Sequence, residues 1–195
     1  MTSSRSWLRL CLFGAFTATG TAQAAAQVGT VSNAQVISLA AAKSSRLSLA
    51  VTSGASQSMP SFTDNAINNF PSPVVIQTQW DLNPGQTGSV RVIAWFATPA
   101  QALFSAGSGT AIPSSRMWGR VATGVPVAFT AFTQNPVGGI GVAGGSLQLL
   151  NINVTGVNKT TTRSDNLQLQ LNLTGAGVLP PGTYTGTLNI QAVTQ

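Results

Sequence analysis

The chain has 195 residues, of which 43% are hydrophobic, only 6% are charged and none is histidine. Its acids are three aspartates, Asp64, Asp81 and Asp165, and its single cysteine is Cys11. Without His or Glu, histidine triads, histidine-bound metals and glutamate acid/base pairs are excluded.

The formal net charge of +6 reflects scarce acids rather than abundant bases. The basic residues are scattered, with neither the runs nor the aromatic interleaving of a nucleic-acid groove, so no nucleic-acid partner is expected. A surface dominated by Ser, Thr, Asn and Gln departs from the roughly one-quarter charged content of an average soluble domain. It is a composition suited to packing against copies of the same chain.

Arg5 and Arg9 flank the start of an apolar run from Leu8 to Ala18, and small residues follow, ending in Ala22-Gln23-Ala24. This pattern reads as a signal peptide over residues 1–24; a cut after Ala26 also fits. The run falls short of the ~20 residues that span a bilayer, and no later segment looks transmembrane. Cys11 lies before most of the apolar run, where a lipidation cysteine would not. Cleavage removes Cys11, so the mature chain would have no disulfide and no thiol chemistry. Export to the periplasm, cell surface or extracellular space is the expectation.

Residues 25–56 are expected to form an N-terminal arm containing the first strand or strands, with Leu47, Leu49 and Val51 alternating and Val36 to Leu39 also strand-like. Ser53 to Pro73, rich in Gly, Pro and Asn, reads as a long loop. Val74, Ile76, Thr78, Trp80 and Leu82 share one face of a strand. A turn at Asn83-Pro84-Gly85 then leads to a strand over Ser89 to Thr98, and the two suggest a central hairpin. Pro99 to Phe104 suggests a short helical turn and Ser105 to Ser115 a loop. Met117 to Ala122 and Val125 to Thr133 are further candidate strands. After the glycine-rich stretch Asn135 to Gly145, Ser146 to Thr155 reads as a strand whose alternation slips at Leu149 and Leu150, predicting a β-bulge.

The clearest alternation lies in Asn166 to Thr174, with Leu167, Leu169, Leu171 and Leu173 opposite Gln168, Gln170 and Asn172. A second run puts Tyr184, Gly186, Leu188, Ile190 and Ala192 on one face. The simplest pairing joins these two runs as an antiparallel unit, with a hairpin tip at Val157 to Asp165 before the first. The pattern predicts an all-β fold, an antiparallel β-sandwich of about seven or eight strands over residues 57–195.

Each aspartate reads as a turn or cap residue. Asp64, Asn65, Asn68 and Asn69 lack the carboxylate density of a calcium site and read as a solvated loop. Gly139-Ile140-Gly141-Val142-Ala143-Gly144 matches a dinucleotide fingerprint in letters, but a Leu/Ile strand follows where a helix is required. The sequons at Asn153, Asn158 and Asn172 are of a kind that arises by chance in Asn/Thr-rich strands. No metal, cofactor or catalytic residue is expected. One candidate recognition patch stands out, Arg116, Trp118 and Arg120, in which an exposed Trp between arginines could stack on sugars; a buried Trp with two outward arginines explains the same letters.

The ending Leu179-Pro-Pro-Gly-Thr-Tyr-Thr-Gly-Thr-Leu-Asn-Ile-Gln-Ala192 resembles the Pro-Gly-x-Tyr-x-Gly-x-Leu-x-Ile hairpin of bacterial immunoglobulin-like domains. It is also similar to the last strand of chaperone-usher pilins and of spore coat protein U-like subunits. The resemblance implies an immunoglobulin-like sandwich, left incomplete and filled by a strand from another subunit. It departs from many such subunits in having no cysteine pair, and its arm is not a clean alternating donor strand. The function expected is a non-enzymatic structural or adhesive surface protein, a pilus-like or coat subunit that assembles with copies of itself or with other surface subunits. The alternative is a monomeric secreted module that binds carbohydrate or protein near Trp118, and a third reading is a periplasmic small-molecule-binding domain.

Overall fold

The computed structural model describes residues 45–195, apart from 84 and 86. The expected signal peptide and the strand-like Val36 to Leu39 lie outside the described residues. The fold is all-β and antiparallel. Its strands are β1 (Arg46–Ser53), β2 (Ile67–Asn69), β3 (Val74–Asp81), β4 (Gly88–Phe96), β5 (Leu103–Ser105), β6 (Thr110–Ile112), β7 (Met117–Val121), β8 (Thr130–Ala131), β9 (Ser146–Val154), β10 (Thr160–Asn172) and β11 (Leu188–Thr194). Among the described residues the helical content is two 3-10 turns, Pro99–Gln101 and Ser114–Arg116. Among the described residues no helix is long and apolar enough to cross a membrane.

The larger sheet has the order β1-β3-β10-β7-β8, with β2 also paired to β10. The second sheet is β11-β4-β9, and β5 and β6 form a small hairpin. The 13-residue β10 is the spine of the larger sheet. Leu167 faces Val74 on one edge and Val121 on the other, while Gln170 lies between Asn69 and Trp118. One edge of β10 is therefore shared by β3 and then β2, and the other carries β7.

Alternation decides what each strand buries, since successive side chains point to opposite faces. Leu47 and Leu49, then Val74, Ile76, Thr78 and Trp80, then Leu167, Leu169 and Leu171 all turn inward. Val90, Val92, Ala94 and Phe96 meet them from the second sheet, with Leu147, Leu149, Leu150, Ile190 and Ala192. The apolar members form one core cluster, so the two sheets are layers over a single interior. Trp80 is wholly buried, and its indole N–H donates to the Asn158 carbonyl at 2.8 Å, which satisfies the one polar atom its burial would otherwise strand. Phe96 and Phe132 meet edge to face with centroids 5.2 Å apart.

The bulge sits where the alternation slips: Val92 faces Leu150 and Ile93 faces Gln148, which leaves Leu149 as the extra residue. Several local pairings differ from expectation. β3 and β4 do not form a hairpin, because β3 pairs with β1 and β10 while β4 pairs with β9 and β11. β10 and β11 likewise lie in different sheets. Both connections cross from one layer to the other, which places each strand's apolar face on the shared core. Of the candidate strand Val125 to Thr133 only Thr130–Ala131 is strand, and Val127 is 66% exposed. The expected hairpin tip at Val157 to Asp165 is instead a connection between the sheets over residues 155–159, since β9 and β10 belong to different sheets, and Thr160 to Asp165 belong to β10. β1 is an integral strand of the larger sheet, and the described fold therefore begins upstream of residue 57.

The glycine-rich stretch is a loop laid over the outer face of the second sheet. Gly141 has φ +104, and a Cβ there would lie 2.4 Å from the Ser146 hydroxyl and 3.6 Å from the Ile93 side chain. Close approach and a left-handed backbone both demand glycine at this point. The Ser146 hydroxyl accepts from the Val142 N–H at 2.8 Å and donates to the Val142 carbonyl at 2.7 Å, pinning the loop down. Strand, rather than helix, follows, and no dinucleotide cradle exists here.

Leu167→Ala, at the crossing of β3, β10 and β7, is expected to destabilise the fold by about 3 kcal/mol through lost burial and a residual cavity. Gln79→Ala, on the exposed face of β3, should change stability by less than about 0.5 kcal/mol. Urea unfolding followed by tryptophan fluorescence measures both.

Candidate functional site: an open seam and a polar outer face

The two lateral seams of the layers differ. On one side the loop between β7 and β9 bridges the sheets: the Val125 N–H donates to the Leu149 carbonyl at 2.9 Å, the Gln134 N–H to the Ser146 carbonyl at 2.8 Å, and the Gln148 N–H to the Gln134 side-chain oxygen at 2.7 Å. Phe132, wholly buried, fills the space behind these bonds. This seam is laced shut.

On the other side lie β1 and β11, each, among the described residues, the terminal strand of its sheet and unpaired along one edge. A groove of about 980 Å³ runs between them, beside the second half of β1 and the first half of β11. Its floor is the core, with Leu49, Val74, Phe96, Met117, Leu171 and Ile190 reaching it. Its banks are the segments Gly54–Phe62 and Leu179–Thr187, joined where Phe62 and Tyr184 meet edge to face at 5.7 Å. Val51, Met59, Phe62, Phe70, Leu103, Leu179, Tyr184 and Leu188 are half-buried apolar residues packed on the core, and all of them line the groove. Most of the half-buried apolar residues packed on the core thus gather along one seam, with Leu82, Ile152 and Ala176 lying elsewhere. Sequence reasoning could not locate it, since a gap between strands has no residues of its own.

The aspartates and their neighbours serve structure. The Asp64 carboxylate accepts the Leu179 N–H at 3.2 Å and the Asn65 side chain accepts the Gly177 N–H at 3.0 Å, so this turn, with Asn65 exposed, also anchors one bank of the groove. The Asn68 side chain accepts from the Thr63 N–H at 2.7 Å, and the Asn69 side chain accepts from Gln170 at 2.9 Å. Asp81 accepts from the Thr160 hydroxyl at 2.8 Å. Among the described residues no group of His, Cys, Asp or Glu could hold a metal ion.

Asp165 is not a turn residue. It lies within β10 on the inner face, its side chain 8% exposed, and pairs with Arg163 at 2.7 Å. The Thr123 hydroxyl donates to the same carboxylate at 2.6 Å, and Arg163 also donates to the Thr123 carbonyl. Hydrogen bonding to Asp165, ahead of the opposing effect of burial, raises the Arg163 pKa above its ordinary value. A base with a raised folded-state pKa contributes stability in full below its unfolded pKa, so this contribution is constant through the physiological range and is lost only in strong alkali.

The Arg116, Trp118 and Arg120 patch is divided by the fold. Met117, Gly119 and Val121 are buried, while Trp118 and Arg120 point to the outer face of the larger sheet, half-exposed. The Trp118 indole N–H donates to the Ser115 carbonyl at 3.1 Å, fixing the ring. Arg120 donates to the Gln168 side chain and stacks over Phe129, with its guanidinium carbon 4.7 Å from the ring centroid. Arg116 reaches the Thr174 carbonyl at 2.6 Å and clasps the end of β10. Phe129 was legible only as part of an expected strand, and its partnership with Arg120 follows from the loop that replaces that strand.

Comparison with protein-family models, curated proteins and solved structures returned no match.

Asp165→Asn is expected to cost about 1–3 kcal/mol, the range for a hydrogen bond to a charged partner that is left half-buried. Asp81→Asn, at an exposed strand end, should stay within about 0.5 kcal/mol. Urea midpoints at neutral pH distinguish the two.

Proposed function

We propose that this protein is an exported, non-enzymatic structural or adhesive subunit of immunoglobulin-like type, which assembles by accepting a β-strand of another copy into its open seam. The single observation that carries this reading is the asymmetry of the seams, one laced by backbone hydrogen bonds and the other an apolar groove between two strand edges that are unpaired among the described residues. An added strand would satisfy free N–H and C=O groups on both edges while its alternate side chains filled the groove, the physical basis of β-augmentation.

The donor proposed is the segment 25–44. Leu47 and Leu49 are already committed to their own core and cannot be donated without unpairing β1 from β3. Upstream, Val36, Ile37 and Leu39 supply apolar residues, and Ile37 and Leu39 fall on one face of an extended chain. Twenty residues extend roughly 65 Å, far enough to reach a neighbouring molecule. The absence of His and Glu and the structural use of all three aspartates support a role without catalysis.

Light scattering on the eluting peak of a size-exclusion column tests this. The chain from Ala25 is expected to form a ladder of oligomers, and a chain from Ser45 to run as a monomer that is less stable until a peptide of residues 25–44 is added. A stable monomer from Ala25, with no response of the shorter chain to the peptide, would overturn the proposal.

A further inference from the structure

The geometry points to a second recognition surface, independent of the seam, on the outer face of the larger sheet: Trp118, Arg120 and Phe129, with Arg116 beside them, form a platform for a carboxylated polysaccharide. Trp118 and Arg120 alternate outward on β7, so they stand roughly 7 Å apart along the strand. Arg120 lies over the Phe129 ring, which places a second aromatic residue at the same edge of the sheet. Trp118 offers an apolar face for a sugar ring, and the Arg120 donor fork, held over Phe129, stands beside it. Gln168, the exposed cross-strand neighbour of Arg120 on β10, adds an amide suited to a hydroxyl group.

Charge identifies the class of glycan. Arg116 and Arg120 donate to neutral acceptors, the Thr174 carbonyl and the Gln168 amide, and among the described residues neither meets a carboxylate. The three aspartates are engaged elsewhere: Asp165 with Arg163, Asp64 with the Leu179 N–H, and Asp81 with Thr160 at the far end of β3. The Nη nitrogens of Arg120 hold no hydrogen bond among the described residues, and a planar guanidinium takes a carboxylate through two parallel bonds. Two uncompensated cations beside two aromatic residues therefore complement an acidic sugar polymer better than a neutral one. A nucleic acid strand would call for a longer basic stripe than this face presents.

Affinity electrophoresis of the mature chain through gels containing polygalacturonate, dextran or a single-stranded oligonucleotide tests the inference. Polygalacturonate should retard the protein, dextran should not, and added salt should weaken the retardation. Trp118→Ala and Arg120→Gln are each expected to lower affinity about tenfold, the loss of one stacking or charge-assisted contact. Trp118→Phe should retain most of the binding, and Arg46→Gln, on the distant β1 edge, all of it. Thermal melts establish that each variant is folded, and Arg120→Gln provides the comparison if Trp118→Ala does not fold. Retardation of Trp118→Ala or Arg120→Gln, shown folded by its melt, equal to that of the parent would reduce the effect to diffuse charge and overturn the inference. Preference for dextran or the oligonucleotide, or no retardation at all, would also overturn it.

Discussion

Everything in this fold hangs from the two edges of β10. Its backbone is paired with β3 and β2 along one side and with β7 along the other, while Leu167, Leu169 and Leu171 enter the core. At Leu167, Gln170 and Leu171 this strand is paired on both edges, which leaves it no free choice of face. Shifting its register by one residue would send Gln168 and Gln170 inward and expose the leucines, a change the core could not absorb. The described chain holds no cysteine, so register and burial do the work that disulfides perform in many exported domains.

Local alternation told which face of a strand is buried, and it did so well for Leu47 and Leu49, for Val74 to Trp80 and for Leu167 to Leu171. It said nothing about which strand lies next door. The turn after β3 and the Pro-Gly turn before β11 fit a hairpin and an inter-sheet crossing equally well, and the need to cover apolar faces from both sides selected the crossing. The slip at Leu149 and Leu150 was legible because a bulge leaves a mark in the alternation itself. Asp165 was misread for the opposite reason. Arg163 and Asp165 on an inner strand face have the letters of a turn, and only the three-way contact with Thr123 accounts for their burial.

The candidate sites were legible to unequal degrees. Trp118 and Arg120 announced themselves by composition, whereas Phe129 came from a segment whose apolar residues imitate a strand. The open seam had no signature in any one stretch, since its walls are drawn from β1, β11 and the segments beside them. Among the described residues the Arg163–Asp165 ion pair sits at the inner face of β10, and the outer faces carry mostly amides and hydroxyls with few charges between them.

The loop pinned by Ser146 has a further bearing on how this chain behaves in solution. Ile93 points away from the core yet is fully buried, because the glycine-rich loop covers it. The cover is held by the two bonds of the Ser146 hydroxyl to Val142, by the Ser114 hydroxyl on the Gly144 carbonyl and by the Phe96 N–H on the Gly145 carbonyl, while the sheet beneath has its own ladders to β9 and β11. Cover and scaffold are thus separable. Lifting the loop would leave the core intact and bare an apolar strip on a folded sheet, so damage at this point would be felt as lost solubility while the fold itself endured.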